Sequence, residues 1–594
     1  MTRNAHRPSY AALALFAAAA VPAFSQSTTA TITNNVYAQH NLVSDIPGMA
    51  DFTDAHLVNP WGLSESTGSP FWISNQGSAT STIYNGSGVA SSTVVAIPSG
   101  ATKQSLTGPT GQVQNSSTGF LLSNGKAASF IFATQDGTIS AWNGGTVATV
   151  LVDNSSAGAV YTGLALYAAG PNLYAANFNS GKIEVFDTNF HATTVSGGFT
   201  DPNLPSGYAP YNIQNLSGKL YVTYALQNTN KNEPVSAAGN GLVDVFDTSG
   251  NLLQRLVSNG PLNAPWGVAI APSAFGAFGG ALLVGNFGDG TINAFNLTSG
   301  SSLGALQNQS GSAIANSGLW ALTFGNGKSG GDPNTLYLTA GIQGQVHGLL
   351  ASIAPPAAVS SLSNGASGLA AASIAPGEVV LVNGGTIGPS PLVDGTLPTA
   401  GNSMATTLST TTVTFNGTPA PILFASASQT AVVVPYEITG SATASVVVAY
   451  RGQTTAAFSI PVAASAPGLF TSAENGSGEV VAFNQDGTIN GTSNPAPRGS
   501  VVVLYATGDG VEDPGAQDGV VSGDIIRTPL ATVSATIGGQ TAPVVFAGSA
   551  PGLLAGVLQV EVVAPAAAAT GAVPVVLTIG AASSSQQSAT IVLK

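Results

Sequence analysis

The stretch Asn59-Pro60-Trp61-Gly62-Leu63 returns downstream as Ala264-Pro265-Trp266-Gly267-Val268. Weaker copies are Pro109-Thr110-Gly111, Tyr161-Thr162-Gly163-Leu164, Pro210-Tyr211-Asn212-Ile213 and Gly318-Leu319-Trp320-Ala321-Leu322. Counted from 60, 109, 161, 210, 265 and 318, the starts are spaced 49 to 55 residues apart. A fixed period of that size marks a repeat architecture built from one small supersecondary block. Each start is followed by an alternating run, a turn of Gly, Asp or Asn, and a strand ending in an aromatic. Examples are Gly181-Lys182-Ile183-Glu184-Val185-Phe186-Asp187 and Gly290-Thr291-Ile292-Asn293-Ala294-Phe295-Asn296. The alternation sends Ile183 and Val185 to one face and polar residues to the other. A single four-stranded unit cannot bury both faces, whereas radial stacking can, so the six starts predict a six-bladed β-propeller over 26–352. The extended stretch 31–43 is expected to close the ring by pairing with the last blade.

After residue 352 an Ala/Pro/Ser-rich segment, 353–371, reads as a linker. Beyond it the chain repeats itself once. Residues 415–425 match 537–547, 429–435 match 559–565, and 375–381 match 496–502. Each copy is about a hundred residues of short β-branched strands with turn signals, the texture of an immunoglobulin-like sandwich. The expected fold is therefore all-β: a six-bladed propeller followed by a duplicated immunoglobulin-like β-sandwich module over 372–594.

Composition narrows the function classes. Hydrophobic residues are 44% of the 594, too many for a disordered polar chain. Charged residues are only 7% and the net charge is −13, so no basic stripe exists to hold phosphates, and nucleic acid is excluded as a partner. Cysteine is absent, which excludes thiolate metal sites and disulfides. Arg3, His6 and Arg7 precede an apolar run over 10–24, and Ala23-Phe24-Ser25 offers small residues at a cleavage site. That pattern predicts a signal peptide over 1–25, and the run is short for a membrane span. The protein is expected to be exported, to the periplasm, cell surface or medium, with no integral membrane segment after cleavage.

The words along 36–352, including Asn59-Pro60-Trp61-Gly62-Leu63, Asn263-Ala264-Pro265-Trp266-Gly267 and the run from Gly279 to Gly290, resemble an uncharacterised family of secreted bacterial propellers similar to NHL-repeat proteins. Residues 359–594 resemble the C-terminal module of exported proteins of Solibacter-type acidobacteria. That second resemblance rests on Ile374-Ala375-Pro376-Gly377-Glu378, Val434-Pro435-Tyr436-Glu437 and Leu504-Tyr505-Ala506-Thr507-Gly508-Asp509-Gly510, among other pieces. Neither implies an activity.

The search for chemistry returns little. No Gly-x-Ser-x-Gly elbow occurs. Gly327-Lys328-Ser329 lacks the preceding glycine of a phosphate loop. The five histidines form no ligand motif. Asp509-Gly510-Val511-Glu512-Asp513 lacks the spacing of a known Ca²⁺ loop and reads as a solvated turn. No catalytic residue, metal site or cofactor is assigned, although a divalent cation such as Ca²⁺ in the propeller channel stays open. The expected binding residues sit where blade starts and inner turns approach the channel mouth: His56, Asn59, Trp61, Asn177, Asn212, Asn263, Trp266, Asn286 and Trp320. The tryptophans have packing between blades as their plainer role. The leading expectation is a non-enzymatic exported protein that binds a carbohydrate or a cell-envelope protein. The rivals are a metal-dependent lactonase or esterase, whose cation Asn59, Asn212, Asn263, Asn177, Asn286 and Asp289 would hold, and a structural envelope protein.

Overall fold

The computed structural model describes residues 35–102, 106–586 and 588–594. The expected signal peptide, 1–25, lies outside the described residues. The chain divides into two compact units, 30–355 and 356–594.

The first unit is a six-bladed propeller. Its inner strands are Pro60–Ser64, Pro109–Gln114, Tyr161–Tyr167, Tyr208–Leu216, Pro265–Ile270 and Leu319–Phe324. Each begins within two residues of a start read from the sequence. Each lies against the next around the ring, and the sixth lies against the first. Blades one to five are antiparallel sheets of four strands in chain order. The sixth has only three of its own, ending at Leu349–Ala354, and is completed by Ala38–Ser44. This N-terminal strand pairs antiparallel with it, from Ala38 opposite Ala354 to Ser44 opposite Leu349. The ring is therefore closed by a strand from the other end of the unit, as the extended stretch before the first blade implied.

Burial explains why the strands read differently along the chain. Second strands such as Phe71–Asn75, Phe130–Thr134 and Leu336–Ala340 are buried at every position. Both of their faces meet neighbouring blades, so they carry continuous apolar runs rather than alternation. Inner strands come so close that they tolerate no side chain at one position. A Cβ on Gly111 would stand 2.4 Å from the Leu164 nitrogen, and one on Gly267 would stand 2.3 Å from the Trp320 carbonyl oxygen.

The second unit holds two sandwich repeats whose strands pair alike. In the first, Val379–Gly385 pairs with Gln429–Val433, and Thr411–Phe415 with Thr443–Tyr450. In the second, Val501–Thr507 pairs with Val557–Val563, and Val533–Ile537 with Gly571–Ile579. These strands alternate buried and open positions, as sheets with one covered face do. Each repeat has its own apolar core. A third cluster joins them, with Val379, Met404 and Val433 from the first packed on Phe470, Tyr505 and Leu554 from the second. The stretch 353–371 departs from its reading as a linker. Residues up to Ala354 finish the last blade, and Ala358–Asn364 is a sandwich strand with Leu362 in the first core. Its alanines and serines hide two strands because small residues weaken the hydrophobic signal.

Candidate functional site

The blade starts do more than pack one blade on the next. Trp61 of blade one lies 6.5 Å from Tyr211 of blade four, which stands opposite it in a ring of six. The Trp266 Nε1–H of blade five donates to the Thr162 carbonyl of blade three at 3.0 Å, passing over blade four. Such contacts are geometrically open only at the propeller axis. Trp61 and Trp320 stack at 3.4 Å and 19°, Trp266 meets both edge-on, and Phe287 stacks on Trp320 at 4.4 Å. Trp61, Tyr211, Trp266 and Trp320 are all at least 96% buried. Burial drives the Tyr211 phenol well above its ordinary pKa, so it stays neutral. The axis is filled at this level by a plug of aromatic rings.

A partial crown of neutral amides from blades one, two and six lies beside the plug. Trp320 Nε1–H donates to Asn59 Oδ1 at 3.0 Å, and Asn59 Nδ2 donates to Gln76 Oε1 at 2.8 Å and to Gln345 Oε1 at 3.3 Å. Gln76 Nε2 continues the chain to the Thr107 carbonyl and to Gln135 Oε1 at 3.0 Å. Gln76 and Gln345 are half-buried, and Gln343 beside them is exposed. Three of these residues, Asn59, Gln343 and Gln345, hold φ of 45°, 52° and 69° without being glycine. Backbone held in the left-handed region costs about 1–3 kcal/mol per residue and gathers at functional sites. Local sequence explains part of it. The chain must turn sharply to deliver Pro60 into the inner strand, and Ala264 before Pro265 repeats the device at φ 47°.

The structure divides the residues expected at the mouth into three groups. Asn59, Trp61, Trp266 and Trp320 come together in plug and crown, joined by Asn212, whose Nδ2 donates to the Trp266 carbonyl at 2.9 Å. The tryptophan faces are turned to one another, and of the amides beside them Asn59 and Gln135 are buried while Gln76 and Gln345 are half-buried. Asn177, Asn263 and Asn286 are buried and bonded inside their own blades. Asn177 donates to Glu184 at 2.7 Å, beside the Tyr161 phenol that burial and the Glu184 carboxylate push upward. Asn263 and Asn286 both donate to Asp289 Oδ2, sewing two turns of blade five together. His56 stands apart, half open to solvent, with Asp54 Oδ1 at 2.9 Å from its Nδ1. Among the described residues no three His, Cys, Asp or Glu side chains group so as to hold a metal ion, and no helix is long and apolar enough to cross a membrane.

Gln76, Gln135 and Gln345 were not singled out by the sequence reading. The first two follow directly on the second strands of blades one and two. Aligning the blades on their second strands rather than their starts would have exposed them.

The chain is 34% identical over 326 residues to an uncharacterised protein of Acanthamoeba polyphaga mimivirus, covering 52% of this chain and 78% of the viral one. Another uncharacterised protein of that virus is 31% identical over 267 residues, covering 43% and 70%. The chain belongs to the family of these mimiviral proteins. These relatives are viral, which departs from the expectation of bacterial ones. A third protein of the virus is 32% identical, and this chain spans 42% of its length. No protein-family model matches the chain. Among solved structures, virginiamycin B lyase from Staphylococcus aureus is 12% identical, with 54% of this chain and 98% of that one covered at a TM-score of 0.32. Regucalcin, a calcium-binding protein from Agrobacterium tumefaciens, is 11% identical, with 50% and 89% covered at a TM-score of 0.32. Likeness at that level transfers no function.

Proposed function

We propose that this is an exported, non-enzymatic binding protein whose propeller takes a neutral carbohydrate on the amide crown. The observation that carries the reading is the crown itself: Asn59, Gln76, Gln135 and Gln345 form an uncharged, chained set of donors and acceptors over an aromatic floor. Amide groups match sugar hydroxyls because each offers both a donor and an acceptor. The strained backbone at Gln343 and Gln345 supports a positioned surface rather than an idle loop. A hydrolase using a channel cation gains less support, because aromatic rings fill the axis beneath the crown.

The test uses the secreted full-length chain on a glycan array, followed by titration calorimetry with the best neutral glycan. Gln76→Ala and Gln345→Ala together should weaken binding at least about tenfold, the effect of two lost hydrogen bonds of about 1 kcal/mol each. Binding should also shift the tryptophan emission, since the indoles lie directly below. Failure across neutral glycans, or a glycan bound equally by the double variant, sinks the proposal. Hydrolysis of lactones or esters abolished by a chelator would favour the rival. Export is tested by the N-terminus of the secreted protein, expected at Gln26.

A further inference from the structure

The buried acidic residues of the sandwich module are not part of the propeller site. Asp509 and Glu512, read from the sequence as a solvated turn, are 1% and 3% exposed. Among the described residues, neither oxygen of Asp509 has a hydrogen-bond donor, and Glu512 Oε2 has none. The two side chains face each other, each acting on the other's ionisation. The phenolic oxygen of Tyr436, contributed by the first repeat, is also buried and without a partner. It lies within the field of Asp509, Glu512, Asp518 and Arg527. Asp518 accepts from the Tyr436 backbone nitrogen at 2.8 Å and is coupled in turn to Glu437. Asp509 and Glu512 are thus buried together at the seam between the repeats, with the half-buried Asp518 and Arg527 acting on the same Tyr436 phenol, in a chain where only 7% of residues are charged.

Two buried carboxylates side by side repel each other. A buried carboxylate without a donor or counter-charge loses its hydration and gains nothing in return. The loop is nevertheless built to hold Asp509 there. Gly508 and Gly510 on either side have φ of 82° and 83°, and a Cβ on them would strike the Ala466 and Ala464 carbonyl oxygens at 2.0 and 1.9 Å. A divalent cation between the two carboxyl groups would offset that cost, and so would a proton shared by them.

We propose that Asp509, Glu512 and the Tyr436 phenolic oxygen form a site for a hard divalent cation of the Ca²⁺ class, which ties the two sandwich repeats together. The donors are all oxygen, which selects against zinc and copper. Two carboxylates match the charge of one divalent ion, and Ca²⁺ accepts irregular oxygen cages that Mg²⁺ does not. Water completes the coordination shell. Affinity on the order of 10⁻⁴–10⁻³ M is expected, as in extracellular modules.

The full chain, stripped with EGTA, is titrated with CaCl₂ alone by calorimetry, and its unfolding is followed by differential scanning calorimetry with and without Ca²⁺. One ion should bind per chain and raise the melting temperature of the sandwich module. Asp509→Asn should lower the affinity by about tenfold or more. Tyr436→Phe removes only an oxygen that has no partner, so it should fold normally and still weaken binding severalfold. The proposal is overturned if no Ca²⁺ binds at millimolar concentration, or if both variants bind it as the parent does. It is equally overturned if Asp509→Asn abolishes a pH response of the module that Glu378→Gln leaves in place while Ca²⁺ has no effect, since Asp509 and Glu512 then share a proton instead.

Discussion

Trp61 and Trp320 offer a controlled comparison, because they are stacked on each other and equally buried but differ at one atom. Trp320 Nε1–H donates to Asn59 Oδ1, whereas Trp61 Nε1–H has no protein acceptor. Replacing either indole by phenylalanine removes a similar volume from the plug, and the cavity cost is common to both. Trp320→Phe also strands the Asn59 oxygen, on a residue 3% exposed, which costs about 1–3 kcal/mol. Trp61→Phe instead deletes a buried donor that was already unmet. Trp320→Phe should therefore be the more destabilising by about 2 kcal/mol, taking the lower end of that range, about 1 kcal/mol, for each side of the comparison. The assay is urea unfolding of the full chain followed by tryptophan emission. All five tryptophans (61, 72, 142, 266 and 320) lie in the propeller unit, so the signal reports that unit alone. Equal midpoints for the two variants, or a lower one for Trp61→Phe, would refute the hydrogen-bond account of the plug.

Two further predictions bear on packing and ionisation. Gly111→Ala should lower the propeller's stability by about 2 kcal/mol or more, because its Cβ would meet the backbone of blade three. Gly170→Ala, where the nearest atom is a Tyr167 ring carbon at 3.5 Å, should stay within about 0.5 kcal/mol in the same urea assay. Burial pushes Glu378 up to about 8, against the opposing hydrogen bonds from the Ala375 nitrogen and Asn364 Nδ2. The folded module then holds a proton that the unfolded chain releases near pH 4.5. Stability is full below that pH and falls, by roughly a few kcal/mol, as pH rises through about 8. Calorimetry at pH 5 and pH 8 should show the loss, and Glu378→Gln should reduce it; a slope unchanged in that variant would clear Glu378 of the effect.

The blade count was legible because every inner strand solves the same problem. The start calls for a sharp turn, for a large ring at the axis and for a small residue against the next blade. Blades one, four, five and six supply the ring as Trp61, Tyr211, Trp266 and Trp320, while blades two and three carry Thr110 and Thr162, and all but Asn212 supply the small residue. Asn59-Pro60-Trp61-Gly62 and Ala264-Pro265-Trp266-Gly267 record all three demands, and the glycines mark inter-strand contact rather than flexibility. The role of the rings was less legible. Contact of Trp61 with Tyr211 depends on closure of a ring of six, a long-range fact that no window of sequence contains. Gln76 and Gln135 stand out only when the second strands, not the starts, are aligned. A glutamine after a strand is ordinary until the ring places it beside another.

The acidic seam shows the opposite failure, in which a local signal was present and misleading. Asp509 between two glycines has the composition of a solvated turn, and a solvated turn needs no further explanation. The glycines are there for another reason. At φ of 82° and 83° they keep Cβ atoms off the Ala464 and Ala466 carbonyls, which lets the loop sink beneath the first repeat. Burial of Asp509 and Glu512 then follows from repeat-on-repeat packing through Val379, Val433 and Tyr505, not from anything within the loop. A chain that carries so few charges and buries two carboxyl groups side by side at one internal seam has concentrated electrostatic cost where two otherwise self-sufficient cores meet. Each repeat already has its own apolar core, so the added apolar cluster between them can be modest and still give a fixed arrangement, provided the acids are neutralised. The seam, together with the buried Glu378, is therefore where the module's stability should depend on solution conditions.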